Sequence, residues 1–215
     1  MAQIFPKWTN NLPLIISFIG VVVAICVVGS IWYFASPWYT DVGYQPSQPV
    51  EYSHKVHAGD LGIDCRYCHN YVETSQHANI PPTQTCMNCH TIVNANSEKM
   101  LPVLESWATN QPIEWIRVHK LPDYAYFDHS AHLDAGVGCF SCHGNVTKME
   151  KITQVQPLSM SWCLACHRDP AEHIRPHEEI TNMSWIASST QRERAQKIID
   201  EKNISPPTNC SGCHR

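Results

Sequence analysis

Five copies of Cys-x-x-Cys-His constrain this chain more than anything else in its 215 residues. They are Cys65/Cys68/His69, Cys86/Cys89/His90, Cys139/Cys142/His143, Cys163/Cys166/His167 and Cys210/Cys213/His214. They absorb ten of the eleven cysteines, so no even set remains for a disulfide framework. Two thiols three positions apart can each add to a vinyl group of one porphyrin, and the histidine that follows then presents its imidazole to the iron. The pattern is the signature of covalent haem attachment and predicts five haem c groups. Attachment of this kind needs an oxidising, extracytoplasmic assembly route. Zinc is the rival metal, because Cys-x-x-Cys pairs also build zinc ribbons. A ribbon joins two pairs into one tetrahedral centre and has no use for a histidine directly after every pair. A redox-active dithiol fails on the same ground.

The motifs bound the fold. The chain beyond residue 37 supplies roughly 36 residues per motif, too few to bury a large core around each one. The porphyrins must furnish much of the apolar interior, as metals do in small domains. The expected fold class is therefore a multihaem cytochrome c, mostly short α-helices and loops around five haems with little β-structure. The segment Gln191 to Lys202, rich in helix formers of mixed charge, predicts a helix. A second is expected within 93–109. No β-branched run marks a strand.

An N-terminal transmembrane helix completes the expected architecture. Leu12 to Trp32 is 21 residues without a charge, and a spanning helix needs about 20. Trp8, Trp32 and Tyr33 flank it as interfacial aromatics do. A signal-peptide core would be shorter and end in a small-residue site, which is missing here. Ile25 is too large for a lipoprotein box before Cys26, so Cys26 reads as a small apolar residue. Lys7 precedes the span, whereas Asp41 and Glu51 follow it. The run therefore reads as an uncleaved single-pass anchor, its N-terminus cytoplasmic and the remainder outside, in the periplasm of a bacterial inner membrane. The expected divisions are an anchor over 1–36, an extended linker rich in Pro and Gly over 37–50, and a haem domain over 51–215.

Inside that domain runs an internal repeat. Tyr52-Ser-His54-Lys-Val-His57 precedes Cys65, and Phe127-Asp-His129-Ser-Ala-His132 precedes Cys139. Each is followed by a second motif, giving di-haem modules at 51–110 and 111–180 and a fifth haem in 181–215. The approach Pro206-Pro207-Thr208 to Cys210 echoes Pro81-Pro82-Thr83 before Cys86.

An iron that only transfers electrons needs a sixth ligand. Eight histidines lie outside the motifs. His54, His57, His129 and His132 stand out by their pairing, and His119 is the fifth choice. His77, His173 and His177 lie in polar stretches and read as solvated or hydrogen bonded. Met160 and Met183 are alternative ligands, or else gap fillers. The aromatic-x-His-x-x-His pattern resembles class III multihaem cytochromes. That resemblance implies that His54 serves the first haem and His129 the third, while His57 and His132 reach across to other haems.

Several functional classes fall away. Lys+Arg total 15 against 19 for Asp+Glu, so a nucleic-acid binder is not indicated. No nucleophile, acid–base dyad or substrate pocket is evident, so no catalytic site of the chain's own is expected. The block from Glu114 through His119, Phe127, His129 and His132 to Cys139, followed by Cys166-His-Arg-Asp-Pro170, resembles the pentahaem cytochrome subunit of bacterial alternative complex III. The single anchor and the five motifs agree with that family, whose core has no further catalytic domain. The resemblance implies a menaquinol-oxidising complex in the membrane, with polytopic quinol-binding subunits and an iron–sulfur subunit. The electrons would leave for a monohaem cytochrome c or a terminal oxidase. The rivals are a quinol dehydrogenase feeding a periplasmic nitrate or nitrite reductase, and a scaffold in which haems merely fill the core.

Overall fold

The structure is a computed structural model that describes residues 4–214. Residues 1–3 and 215, the outermost residues of the anchor and haem-domain ranges, lie outside the described residues. The chain divides into two compact units, with the boundary between Asp41 and Val42.

The first unit is built on one long helix. A 3-10 turn, Lys7–Asn11, leads into α1, Leu12–Phe34, with Pro13 in its first turn where a missing N–H costs nothing. At about 1.5 Å per residue, the helix is long enough for the roughly 30 Å hydrocarbon core of a bilayer. Its side chains, Cys26 included, are exposed all round. Among the described residues this is the one helix long and apolar enough to cross a membrane. Tyr33, Phe34 and Tyr39 cluster where it ends, with ring centroids 4.9–5.8 Å apart. The segment expected to be an extended linker does not run free. Pro37–Thr40 form a short helix, α2. Further on, Gly43 N–H donates to the Gln154 carbonyl and Gln154 N–H to the Tyr44 carbonyl, while the Gln48 side chain pairs with the backbone of Ile116. Val50 is already core. These bonds tie the stretch to loops far along the chain, a long-range partnership that composition does not reveal.

The second unit consists of short helices and loops. In chain order they are α3 (Cys65–Cys68), α4 (Thr83–His90), α5 (Leu101–Thr109), α6 (His129–Asp134), α7 (Phe140–His143), α8 (Met160–Arg168), α9 (Gln191–Lys202) and α10 (Cys210–Cys213). Among the described residues no sheet forms; two isolated antiparallel bridges join Ala125 to His214 and Val137 to Ile174. Helix α9 has the bounds expected of it and ends at Asn203 in a left-handed conformation. The helix expected within 93–109 starts only at Leu101, after a 3-10 turn, because Pro102 fits its first turn and Asn94 turns the chain at φ 52°. Among the described residues the apolar interior is three small, separate clusters: Val50/Met87/Met100/Val103, Val72/Leu133/Ile180 and Ala171/Ile174/Ala195. Such modest cores suit a chain that relies on more than side chains for its interior.

Side-chain caps set the helices that matter most. Asp64 accepts Arg66 N–H at 2.9 Å and fixes the start of α3. Asp128 accepts Ser130 N–H at 2.9 Å and starts α6 at His129. Ser53 accepts Val56 N–H at 3.2 Å and opens the wide helical turn Lys55–Asp60. Ser159 accepts Trp162 N–H and starts α8.

Candidate haem-binding sites

Each Cys-x-x-Cys-His motif is wound into one helical turn. His69 N–H donates to Cys65 carbonyl, His143 N–H to Cys139 and His214 N–H to Cys210, at 2.8–3.0 Å. The turn brings both thiols to one face and delivers the imidazole just after them. Among the described residues no three of His, Cys, Asp and Glu converge as a zinc ribbon requires.

The imidazoles are then locked by the backbone. Nδ1 of His69 pairs with the Asn79 carbonyl (2.6 Å), His90 with Val93 (2.8 Å), His167 with Pro207 (2.7 Å) and His214 with Tyr124 (3.2 Å). Three histidines outside the motifs do the same: His57 with Ser53 (2.8 Å), His129 with Gln76 (2.9 Å) and His132 with Asp128 (2.6 Å). A carbonyl can only accept, so Nδ1 carries the proton and Nε2 keeps its lone pair. This tautomer is the one that metal-ligating histidines use.

Ring spacing tests whether these imidazoles fit a shared iron. With metal–nitrogen bonds of about 2 Å, two axial imidazoles lie about 6 Å apart, centroid to centroid. His57 and His90 stand 6.1 Å apart, His132 and His167 6.1 Å, and His129 and His143 6.5 Å with ring planes within 11°. The donor set therefore fits haem iron at the second, fourth and third motifs. The aromatic residue of each repeat wedges its two histidines. Tyr52 meets His54 edge-on at 4.7 Å and stacks on His57 at 4.5 Å; Phe127 meets His129 at 4.8 Å and His132 at 4.5 Å.

His54 and His119 are placed differently. His119 lies 4.4 Å from His143, too close for a metal between the rings, yet its Nε2 is buried without a partner, as is Nδ1 of His54. Burial pushes both imidazoles down to about 4, and burial together with neighbouring imidazoles pushes His143 to about 3. Burial also lowers His129 and His132. All are held in the neutral form that iron binds. The ring beside His214 is Tyr124, at 5.8 Å. Met160 is exposed on α8, one turn before Cys163, and Met183 is buried. His77 is exposed, and His177 lies 3.6 Å from Glu73.

Contacts between motifs follow an order that differs from the chain's. Asn88 of the second motif donates to Tyr67 of the first at 3.1 Å. The Cys65 and Cys139 thiols are within hydrogen-bonding reach of each other. Cys142 lies within electrostatic reach of Cys163 and Cys166, and Cys163 of Cys213, while the His167 ring of the fourth motif meets the Pro207 carbonyl just before the fifth. The spatial succession is thus second, first, third, fourth, fifth. Sequence reasoning missed this order because the link between Cys65 and Cys139 passes over the second motif and joins distant segments.

The ten motif thiols are not equally enclosed. Cys89 and Cys210 are exposed, whereas the other eight are partly buried. Cys89 is the second thiol of α4, and its carbonyl accepts Ile92 and Val93 N–H at 3.1 and 2.9 Å, so its backbone is ordered although its side chain lies open. The reason is position. The second and fifth motifs end the succession, so a neighbouring motif covers each on one side alone. In the central run, the contact with Cys65 and then burial push the Cys139 thiol well up, and burial pushes up the Cys142 thiol.

Comparison with known proteins agrees with these features. Residues 50–104 and 125–215 match the family described as cytochrome c7 and related cytochrome c. The chain is also 32% identical over 206 residues to the "Menaquinone reductase, multiheme cytochrome c subunit" of Nitratidesulfovibrio vulgaris (strain Hildenborough), covering 92% of this chain and 88% of that protein.

Proposed function

The chain belongs to the family of cytochrome c7 and related cytochromes c, and on that premise we propose that it is the membrane-anchored electron-transfer subunit of a menaquinol-oxidising complex. The observation that carries this reading is the unbroken succession of five Cys-x-x-Cys-His turns, each set beside the next. Haem c bound at each would supply one-electron exchange between ferric and ferrous iron.

The chain's own residues hold and tune those groups. Cys65/Cys68, Cys86/Cys89, Cys139/Cys142, Cys163/Cys166 and Cys210/Cys213 would tether them, with His69, His90, His143, His167 and His214 as proximal ligands. The open thiols Cys89 and Cys210 would leave the two outermost groups nearest to solvent, where electrons enter and leave. His57, His129 and His132 supply distal nitrogens to the second, third and fourth sites. His54, with a buried unpartnered ring nitrogen and His69 among its neighbours, would serve the first site, while His119, likewise unpartnered, lies beside His143 of the third. Met160, one turn from the Cys163 that lies within electrostatic reach of Cys213, is the ligand offered to the fifth. Neutral, backbone-locked imidazoles need no rearrangement on electron arrival, which keeps the exchange fast.

Helix α1 anchors the chain in the bacterial inner membrane, with the haem domain in the periplasm. Within the broader class, the complex we favour is alternative complex III, with polytopic quinol-binding and iron–sulfur subunits as donors and a monohaem cytochrome c or terminal oxidase as acceptor. The name of the relative favours a second reading, in which electrons run inward to menaquinone. A succession of like centres conducts in either direction, and the potentials of the partners choose. The test uses the full chain in detergent. Its mass should exceed the polypeptide by five haems. Menaquinol analogue should leave it oxidised until the quinol-binding partners are added, and then reduce it. Reduction by menaquinol without partners overturns the subunit role. Rapid reduction only by an external cytochrome establishes the inward direction.

A further inference from the structure

Arg175 is a charged residue with an unusual address. It is 4% exposed. Nη1 donates to the carbonyls of Asn182 (3.2 Å) and Glu179 (3.5 Å), and the guanidinium lies 4.4 Å from the centre of the Trp185 ring. Nε is buried with no partner. Among the described residues no carboxylate stands within ion-pairing distance of it. A buried cation with no carboxylate at ion-pairing distance is costly to keep.

The slot that holds it is built into the approach to the third motif. Gly138, directly before Cys139, has no side chain, and a Cβ there would overlap the guanidinium. Gly136 sits at φ +87° against the Arg175 carbonyl, and Arg175 N–H donates to the Gly136 carbonyl at 2.9 Å. The bridge between Val137 and Ile174 fixes the two stretches of chain together. Gly136-Val-Gly138 therefore presses a full positive charge against Cys139, the residue at the centre of the motif succession.

We propose that Arg175 is a positioning residue that raises the reduction potential of the group attached at Cys139 and Cys142. This role rests on the haem reading above. Reduction adds one electron to iron; no bond forms or breaks, and the guanidinium keeps its proton because arginine stays charged at any working pH. A fixed cation in a poorly screened interior favours the state with the extra electron. The Trp185 ring and the two carbonyls hold the charge in place, and the attraction of the Glu179 carboxylate reaches it only from beyond ion-pairing distance.

The experiment is a spectroelectrochemical titration of the five-haem protein and of Arg175→Gln and Arg175→Lys. In Arg175→Gln one of the midpoints falls by about 59 mV or more, a tenfold change in a one-electron equilibrium. The others hold, and the shift persists at high salt because the charge is buried. Arg175→Lys retains most of the wild-type midpoint. Five haems by mass with every midpoint unchanged in Arg175→Gln overturns the proposal, as does an equal fall in both variants, which would point to packing rather than charge. Should Arg175→Gln fail to accumulate, Trp185→Leu, which frees the guanidinium, must lower the same midpoint; no fall overturns the proposal. A wild-type protein lacking haem at Cys139 would instead sink the haem reading itself.

Discussion

The stretch from Tyr52 to His57 and the stretch from Phe127 to His132 perform one task with two backbones. In both, an aromatic ring meets the first histidine edge-on, at 88° and 86°, and lies more nearly flat on the second, at 24° and 33°. In both, the second histidine stands 6.1 Å from the histidine of the motif that comes next-but-one in the chain. The backbones beneath differ. Ser53 offers one short hydroxyl, and Lys55–Asp60 relaxes into a wide turn. Asp128 collects Ser130 and Ala131 N–H, and α6 winds as a regular helix. The second stretch also ties His129 to Gln76, while Nδ1 of His54 stays unpartnered. Placement of the imidazoles is thus set by the aromatic wedge and, for His57, His129 and His132, by the carbonyl behind the ring, not by helix type.

That equivalence can be broken. Cys65→Ala/Cys68→Ala and Cys139→Ala/Cys142→Ala should each remove one haem by mass and destabilise by at least the 3–5 kcal/mol, roughly, of a lost core aromatic. Both motifs are interior to the spatial succession, so the losses should match; thermal melts showing one repeat indifferent would end the symmetry. A gentler change is His57→Met against His132→Met. Each should raise a single midpoint, since methionine favours the reduced iron relative to histidine. Redox titration should show comparable rises. The smallest effect separates the two backbones. Asp128→Ala should cost about 1 kcal/mol and Ser53→Ala about half of that, because the aspartate caps two donors and the serine one. Equal costs in denaturant titrations would mean that the cap does not set the turn.

What the chain discloses before folding is its local chemistry. The five motif turns, α9 and the apolar α1 follow from neighbours in sequence: paired thiols, helix formers, an uncharged run. The start of α5 does not, because Asn94 and Pro102 decide it through backbone geometry that outweighs propensity. The stretch 37–50 reads as a spacer because its partners, Lys151, Thr153, Gln154 and Ile116, are remote. The openness of Cys89 is equally hidden, since its motif is spelled like the others and only the spatial order puts it at an end. His119 is ambiguous for the same reason, as it meets a ring brought in from another segment. Arg175 carries no motif at all; its signal is the two glycines that make room for it.

The acceptors behind seven of the imidazoles are main-chain carbonyls. A carbonyl survives every substitution at its own position. Asn79 is restricted by its own left-handed backbone (φ 67°), but Val93, Gln76 and Tyr124 can drift to other residue types without unfastening the rings they steady, provided the local trace of the backbone holds. Insertions and deletions between motifs would be the damaging events, and point changes at those positions the tolerated ones.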